Sequence, residues 1–180
     1  MMQIVHQVDT SAIPPYDFVL LHLTEQVNID EHPPMSLADA SINKQSLEGH
    51  SAYELGFRLY DGANKDKLTL DYPGTLLQGQ QNFQNDTDFT YTLARILEEN
   101  GTTAEYIQET IDSFLENSDI FLGFTSGKSQ SGNCQRPANG DSGGPLVYKD
   151  NTGKWVDIGV ANWGIMNKKH PDCDTAFSYT

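Results

Sequence analysis

Glycine, proline and asparagine interrupt this chain so often that the apolar stretches between them stay short. The longest candidate, Phe18-Val19-Leu20-Leu21, has the length of a buried strand and falls far short of the ~20 residues that cross a bilayer. Several such runs, flanked by breakers, read as strands. They are Ile4-Val5, Asp17 to Leu23, Tyr53 to Leu59 and Leu68 to Tyr72 around the turn Asp61-Gly62-Ala63-Asn64, Ile120 to Phe124, Pro145 to Tyr148, Trp155 to Asn162, and Ala176 to Tyr179. Thr103 to Leu115 differs, because Tyr106, Ile107, Ile111 and Leu115 are spaced for one face of a helix. Phe89 to Leu97 fits two periods, a strand through Phe89, Tyr91 and Leu93 or a helix through Leu93, Ile96 and Leu97. His32-Pro33-Pro34-Met35 reads as a connector, since adjacent prolines resist both helix and ladder.

The net charge of −14 argues against a nucleic-acid partner, whose phosphates call for basic patches. It fits a soluble, self-repelling surface. With 180 residues the chain has material for one good core or two small ones. Its start, Met1-Met2-Gln3-Ile4-Val5, lacks the basic head and extended apolar stretch of a secretory signal. Cys134 and Cys173 are too few for a four-ligand zinc site. Composition alone leaves them as two buried thiols or one disulfide.

The chemistry-bearing stretch is Gly140-Asp141-Ser142-Gly143-Gly144-Pro145-Leu146-Val147. Glycines around a serine clear the space a carbonyl substrate needs to reach the hydroxyl. They also leave backbone N–H groups to face a developing oxyanion. The same residues would make a good turn anywhere, but here the turn runs directly into an apolar strand.

This octapeptide resembles the nucleophile motif Gly-Asp-Ser-Gly-Gly-Pro-Leu of the chymotrypsin/trypsin-like serine proteases. Ile158-Gly159-Val160-Ala161-Asn162-Trp163-Gly164 is similar to the family's Gly-Ile-Val-Ser-Trp-Gly strand, and Ala176-Phe177-Ser178 to its Val-Tyr-Thr. Asp17-Phe18-Val19-Leu20-Leu21-His22-Leu23 is similar to its Asp-Ile-Ala-Leu-Leu-x-Leu segment, and Gly56-Phe57-Arg58 more weakly to Gly-Trp-Gly. The resemblance implies an all-β fold of antiparallel barrels with one short helix. Residues 1–45 would be the remnant of a first barrel and a connector, and residues 46–180 a nearly complete second barrel without its closing helix.

It also implies roles. Ser142 would attack the scissile carbonyl and form an acyl-enzyme, with the N–H groups of Gly140 and Ser142 as the oxyanion hole. Asp17 would orient the histidine base. Asn162, Trp163 and Gly164 would pair with substrate backbone, Gly132 or Asn133 would lie at the pocket floor, and Thr175 on its wall. With no aspartate at that floor, a small or medium apolar side chain is expected rather than Lys or Arg. Cys134 and Cys173 would be disulfide-bonded, which places the chain in an oxidising setting, secreted or periplasmic. Asp141 would pair with a newly cleaved N-terminal amine. No cofactor or metal is called for; the partner would be a polypeptide substrate or a protein inhibitor, with no membrane span.

The family's histidine lies several dozen residues before the aspartate, in an Ala-Ala-His-Cys motif. Only sixteen residues precede Asp17, and the one histidine among them, His6, follows Ile4-Val5 as an ordinary strand residue. His22, His32, His50 and His170 do not fit the motif either. Met1 is therefore expected to be an internal start in a longer reading frame, with the piece inactive as written; a non-catalytic homologue serving as a binding module is the alternative. The orphaned first-barrel strands would make it poorly soluble or self-associating. Gln135-Arg136-Pro137-Ala138-Asn139 exceeds the family's usual spacing between this cysteine and the nucleophile motif, lengthening the loop beside the oxyanion hole. An α/β-hydrolase would need an acid and then a histidine on alternating strands and helices after the serine, whereas the remaining 38 residues read as strands.

Overall fold

Strand alternation sets the architecture. The computed structural model describes residues 2–4, 21–57, 60–61, 76–128, 130–138, 140–171 and 173–180. In β4 (Ser51–Gly56) Ala52, Glu54 and Gly56 are buried, and the intervening residues are half-buried. β6 (Leu77–Gln84) turns Gly79, Gln81 and Phe83 inward in the same way and pairs antiparallel with β4, Ser51 opposite Asn82. These two strands continue through β7 (Leu122–Lys128), β11 (Thr175–Tyr179), β10 (Trp155–Met166) and β9 (Pro145–Lys149), which returns to β4. The result is a closed, six-stranded antiparallel barrel, as expected for the chymotrypsin-like all-β class. Its interior packs Leu47, Ala52, Phe83, Phe124, Leu146, Tyr148, Val156, Phe177 and Tyr179.

Smaller pieces dress this barrel. β1 (Met2–Ile4) and β2 (Leu21–Leu23) form a two-stranded sheet of their own. β3 (Ser36–Leu37) runs parallel to β10 on the edge opposite β9, and α1 (Lys44–Leu47) delivers Leu47 to the core. β5 (Tyr60–Asp61) pairs with β8 (Cys134–Arg136), which pairs in turn with the end of β7. Asp17, His6 and the expected strand at Leu68 to Tyr72 lie outside the described residues.

The helical insert between β6 and β7 is larger than one short helix. It comprises α2 (Asp86–Glu99) and α3 (Ala104–Glu116). Phe89, Leu93, Ile96 and Leu97 of α2 are at most 5% exposed, while Tyr91, the member of the strand-like alternation, is 72% exposed. Burial of one helical stripe thus decides between the two periods the sequence allowed. Asn85 and Thr103 cap the two helices, each side chain accepting from a backbone N–H in the first turn. With Phe114, Phe121 and Ala176, the α2 stripe makes a second core beneath β10.

Candidate active site

The loop that carries Ser142 is fixed by its own backbone. Gly140 and Gly143 have φ of +104° and +82°, the left-handed region that side chains disfavour. The Asp141 N–H donates to Ala138 O at 3.0 Å, and the Ala138 N–H donates back to Asp141 Oδ2 at 3.0 Å. The Gly144 N–H closes the turn on Asp141 O at 2.8 Å. Two further bonds staple the turn to β10: Gly143 N–H to Ala161 O and Ala161 N–H to Gly144 O, both at 2.9 Å. A Cβ on Gly144 would sit 2.8 Å from the carbonyl oxygens of both Asp141 and Leu55, so only glycine fits this close approach. Between these clamps the Ser142 side chain is exposed, whereas Asp141 is 4% exposed and packs against Gly56. Among the described residues, neither the Gly140 nor the Ser142 N–H has a backbone acceptor.

Ser142 opens onto a cavity of about 110 Å³, lined also by Ala161, Asn162, Trp163 and Gly164. That volume would hold a few waters or one side chain. β9 pairs only with the first half of β10, up to Val160. From Asn162 to Ile165 the same edge of β10 meets no strand among the described residues, while the opposite edge is held by β11. A free strand edge beside an exposed serine is a geometry that can accept an extended peptide.

The expected residues are distributed unevenly around this cavity. Ser142, Asn162, Trp163 and Gly164 come together in its wall. Gly132 and Asn133 stand outside the lining, on the exposed turn before Cys134, where the Asn133 side chain donates to Ser131 Oγ at 3.0 Å. Thr175 is also outside it; it is 1% exposed, and its hydroxyl meets Ser126 Oγ at 2.6 Å and accepts from the Ser126 N–H at 3.1 Å. Asn162 Nδ2 donates to Thr180 Oγ1 at 2.9 Å, and the Trp163 ring packs toward Phe89 of the second core. Cys134 and Cys173 are disulfide-bonded, their Cα atoms 5.2 Å apart. His22, His32, His50 and His170 are exposed, and no histidine among the described residues is hydrogen-bonded to Ser142.

One ionisable group near the loop was not singled out from sequence. Glu54 is fully buried in β4; the Tyr179 hydroxyl donates to its Oε2, and its Oε1 is buried with no hydrogen-bond partner among the described residues. Burial pushes its carboxyl up to about 8, the Tyr179 hydrogen bond opposes the shift, and the neighbouring Asp141 charge adds to it. Alternation along β4 puts Glu54 on the same inward face as Ala52 and Gly56, although Tyr53 and Leu55 carry the apolar parity of the segment. Elsewhere, Arg95 of α2 donates from both Nη atoms to Asp174, and the buried Asn167 joins Glu99 to Asp174 at 2.6 and 2.7 Å. This network braces the segment that carries Cys173. Among the described residues no group of acids, histidines and cysteines is arranged to hold a metal, and no helix is long and apolar enough to cross a membrane.

No family model matches the chain. Over 46 residues, 26% of its length, it is 48% identical to "Transmembrane protease serine 11G" of Rattus norvegicus and, equally, of Mus musculus. It is 41% identical over 46 residues to a "Trypsin-like protease" of Streptomyces glaucescens. The matched stretch spans 10% of the rodent proteins and 15% of the bacterial one, so the chain covers only a small part of these relatives. The similarity to trypsin-like serine proteases is short and partial.

Proposed function

We propose that the chain is the nucleophile-bearing part of a serine endopeptidase of the chymotrypsin/trypsin type. One observation carries the reading. An exposed serine, clamped between left-handed glycines, shares a cavity with a strand whose edge is open to a peptide. In this reading a peptide lies along Asn162–Gly164, and Ser142 Oγ adds to the scissile carbonyl as its proton passes to a histidine. The oxyanion rests on the N–H groups of Gly140 and Ser142, and collapse expels the amine, which takes that proton and leaves an acyl-enzyme that water then cleaves. Asp17 would orient the histidine, which is to be supplied from outside the described residues. Residues 1–45 and 46–180 would be the end of one barrel and the body of another, in a protein of an oxidising, secreted or periplasmic setting. Gly132, Asn133 and Thr175 would act from behind the cavity lining rather than in it.

A second reading, a binding module that keeps the cleft without the chemistry, is favoured by the lack of any histidine at Ser142 among the described residues. Fluorophosphonate labelling, read by mass spectrometry at Ser142, separates the two. The 180-residue chain should label slowly. A chain extended on its N-terminal side to carry a histidine motif ahead of Asp17 should label rapidly, lose labelling on Ser142→Ala and slow on Asp17→Asn. An extended chain with a histidine motif that stays unlabelled would overturn the endopeptidase reading; one with no histidine would leave the binding module.

A further inference from the structure

The Ser142 turn rests on the inner face of β4. A Cβ built on Gly144 would lie 3.7 Å from Glu54 Oε1, and one built on Gly56 would collide with the Asp141 carboxyl. Both ends of the turn therefore bear on inward residues of one strand. Glu54 is fully buried; the Tyr179 hydroxyl donates to Oε2, while Oε1, the oxygen beside Gly144, has no hydrogen-bond partner among the described residues. Across the ladders Glu54 faces Gly79 of β6 and Leu146 of β9, so Asp141 and Tyr179 are the ionisable groups that act on it among the described residues. We propose that Glu54 is a proton-controlled latch on the Ser142 turn: neutral, it lets the turn seat on β4; ionised, it drives the turn off so that water reaches the carboxylate. The latch concerns the seating of the turn, so it holds whether the cleft cleaves a peptide or only binds one.

A carboxylate held out of water with one oxygen unsatisfied is costly, and the Asp141 charge adds to that cost. The neutral acid carries no such penalty. The turn is the lightest cover over Glu54. Two backbone bonds staple it to β10, from the Gly143 N–H to Ala161 O and from the Ala161 N–H to Gly144 O, whereas β6 is paired with β4 from Ser51 to Gly56. Lifting the turn thus wets Oε1 at the smallest loss of hydrogen bonds. With the turn seated, Glu54 keeps its proton to about 8; with the turn lifted and the carboxyl in water, it returns toward 4.5. Between those values the lifted state binds fewer protons than the seated one. Lifting therefore becomes easier by about ten-fold per pH unit across that interval and levels off above it. The seat of Ser142 is firmest in acid and loosest in alkali.

The test is amide hydrogen exchange of the 180-residue chain, read by NMR from about pH 5 to about pH 9 and corrected for the intrinsic rise of exchange with pH. The Gly143 and Ala161 N–H groups report lifting of the turn, and the amides of β7, a strand paired on both sides, report unfolding of the barrel. Gly143 and Ala161 should open far more often than β7, with an opening constant that climbs about ten-fold per pH unit and levels off near 8. Glu54→Gln should flatten the climb, and Asp141→Asn, which removes the neighbouring charge, should end it at a lower pH. An opening constant that ignores pH, a climb that survives Glu54→Gln, or protection equal to that of β7 throughout would each overturn the proposal. The climb in the unmutated protein needs no variant to fold. None of these results bears on whether Ser142 is a nucleophile, which the labelling experiment decides separately.

Discussion

Replacing Glu54 by Gln should stabilise the protein at neutral and alkaline pH and leave it nearly unchanged in acid. The unfolded chain gives up the Glu54 proton near 4.5, but the folded protein, which buries the carboxyl, holds it to about 8. Between those values the folded state binds more protons than the unfolded one, so stability falls as pH rises. Below that window both states are protonated and no penalty remains; above it the folded protein carries a buried carboxylate beside Asp141. A displacement of this size corresponds to about 3–5 kcal/mol at full ionisation. Gln keeps the shape and the partnership with the Tyr179 hydroxyl but cannot ionise. The assay is urea unfolding of both proteins from about pH 4 to about pH 9, taking the difference so that other carboxylates cancel. That difference should rise smoothly through the window, and in a Tyr179→Phe background, which removes the opposing hydrogen bond, the rise should start at the same pH but continue to higher pH and reach a larger plateau. Parallel stability profiles for the two proteins, or a Gln variant weaker at high pH, would refute the reasoning.

Three other perturbations follow from the structure. Breaking the Cys134–Cys173 bond, which spans 39 residues, should cost about 4 kcal/mol by loop closure, read as a lower urea midpoint for Cys134→Ser/Cys173→Ser. Gly144→Ala places a methyl against two carbonyl oxygens and should cost about 1–3 kcal/mol in thermal or urea unfolding while loosening the Ser142 turn. The hydrogen bonds from Arg95 hold the Asp174 carboxyl below the ordinary carboxylate range. Their stabilisation should be complete above that range and fade as pH falls through the lowered value, so Asp174→Asn should lose about 1 kcal/mol near neutrality and flatten the acid limb of the unfolding profile.

The barrel strands with strong apolar character, at Pro145 to Tyr148, Trp155 to Asn162 and Ala176 to Tyr179, were legible because period and punctuation agree there. β6 was not, since Leu77-Gln78-Gly79-Gln80-Gln81-Asn82-Phe83-Gln84 hides a strand in amides. Gln81 is fully buried, its Nε2 reaching Gln135 O at 3.5 Å, and such partners are invisible before the fold is known. α2 was ambiguous because Tyr91 completes an alternating pattern that only its exposure dismisses. At the site, Ser142 and the 162–164 strand could be read from the glycine motif and the Asn-Trp-Gly segment. Glu54 could not be singled out, because its meaning comes from burial and from neighbours distant in sequence.

The most direct test of the account asks whether Ser142 Oγ can reach a reacting centre seated in the β10 cleft. A peptide boronic acid supplies that centre without needing a general base, because the serine oxygen adds to boron as its proton leaves to solvent. In ¹¹B NMR of the 180-residue chain, a tetrahedral boronate signal should appear on addition of the peptide and vanish in Ser142→Ala. A boron that stays trigonal, or a tetrahedral signal that survives the loss of Ser142, would contradict the account.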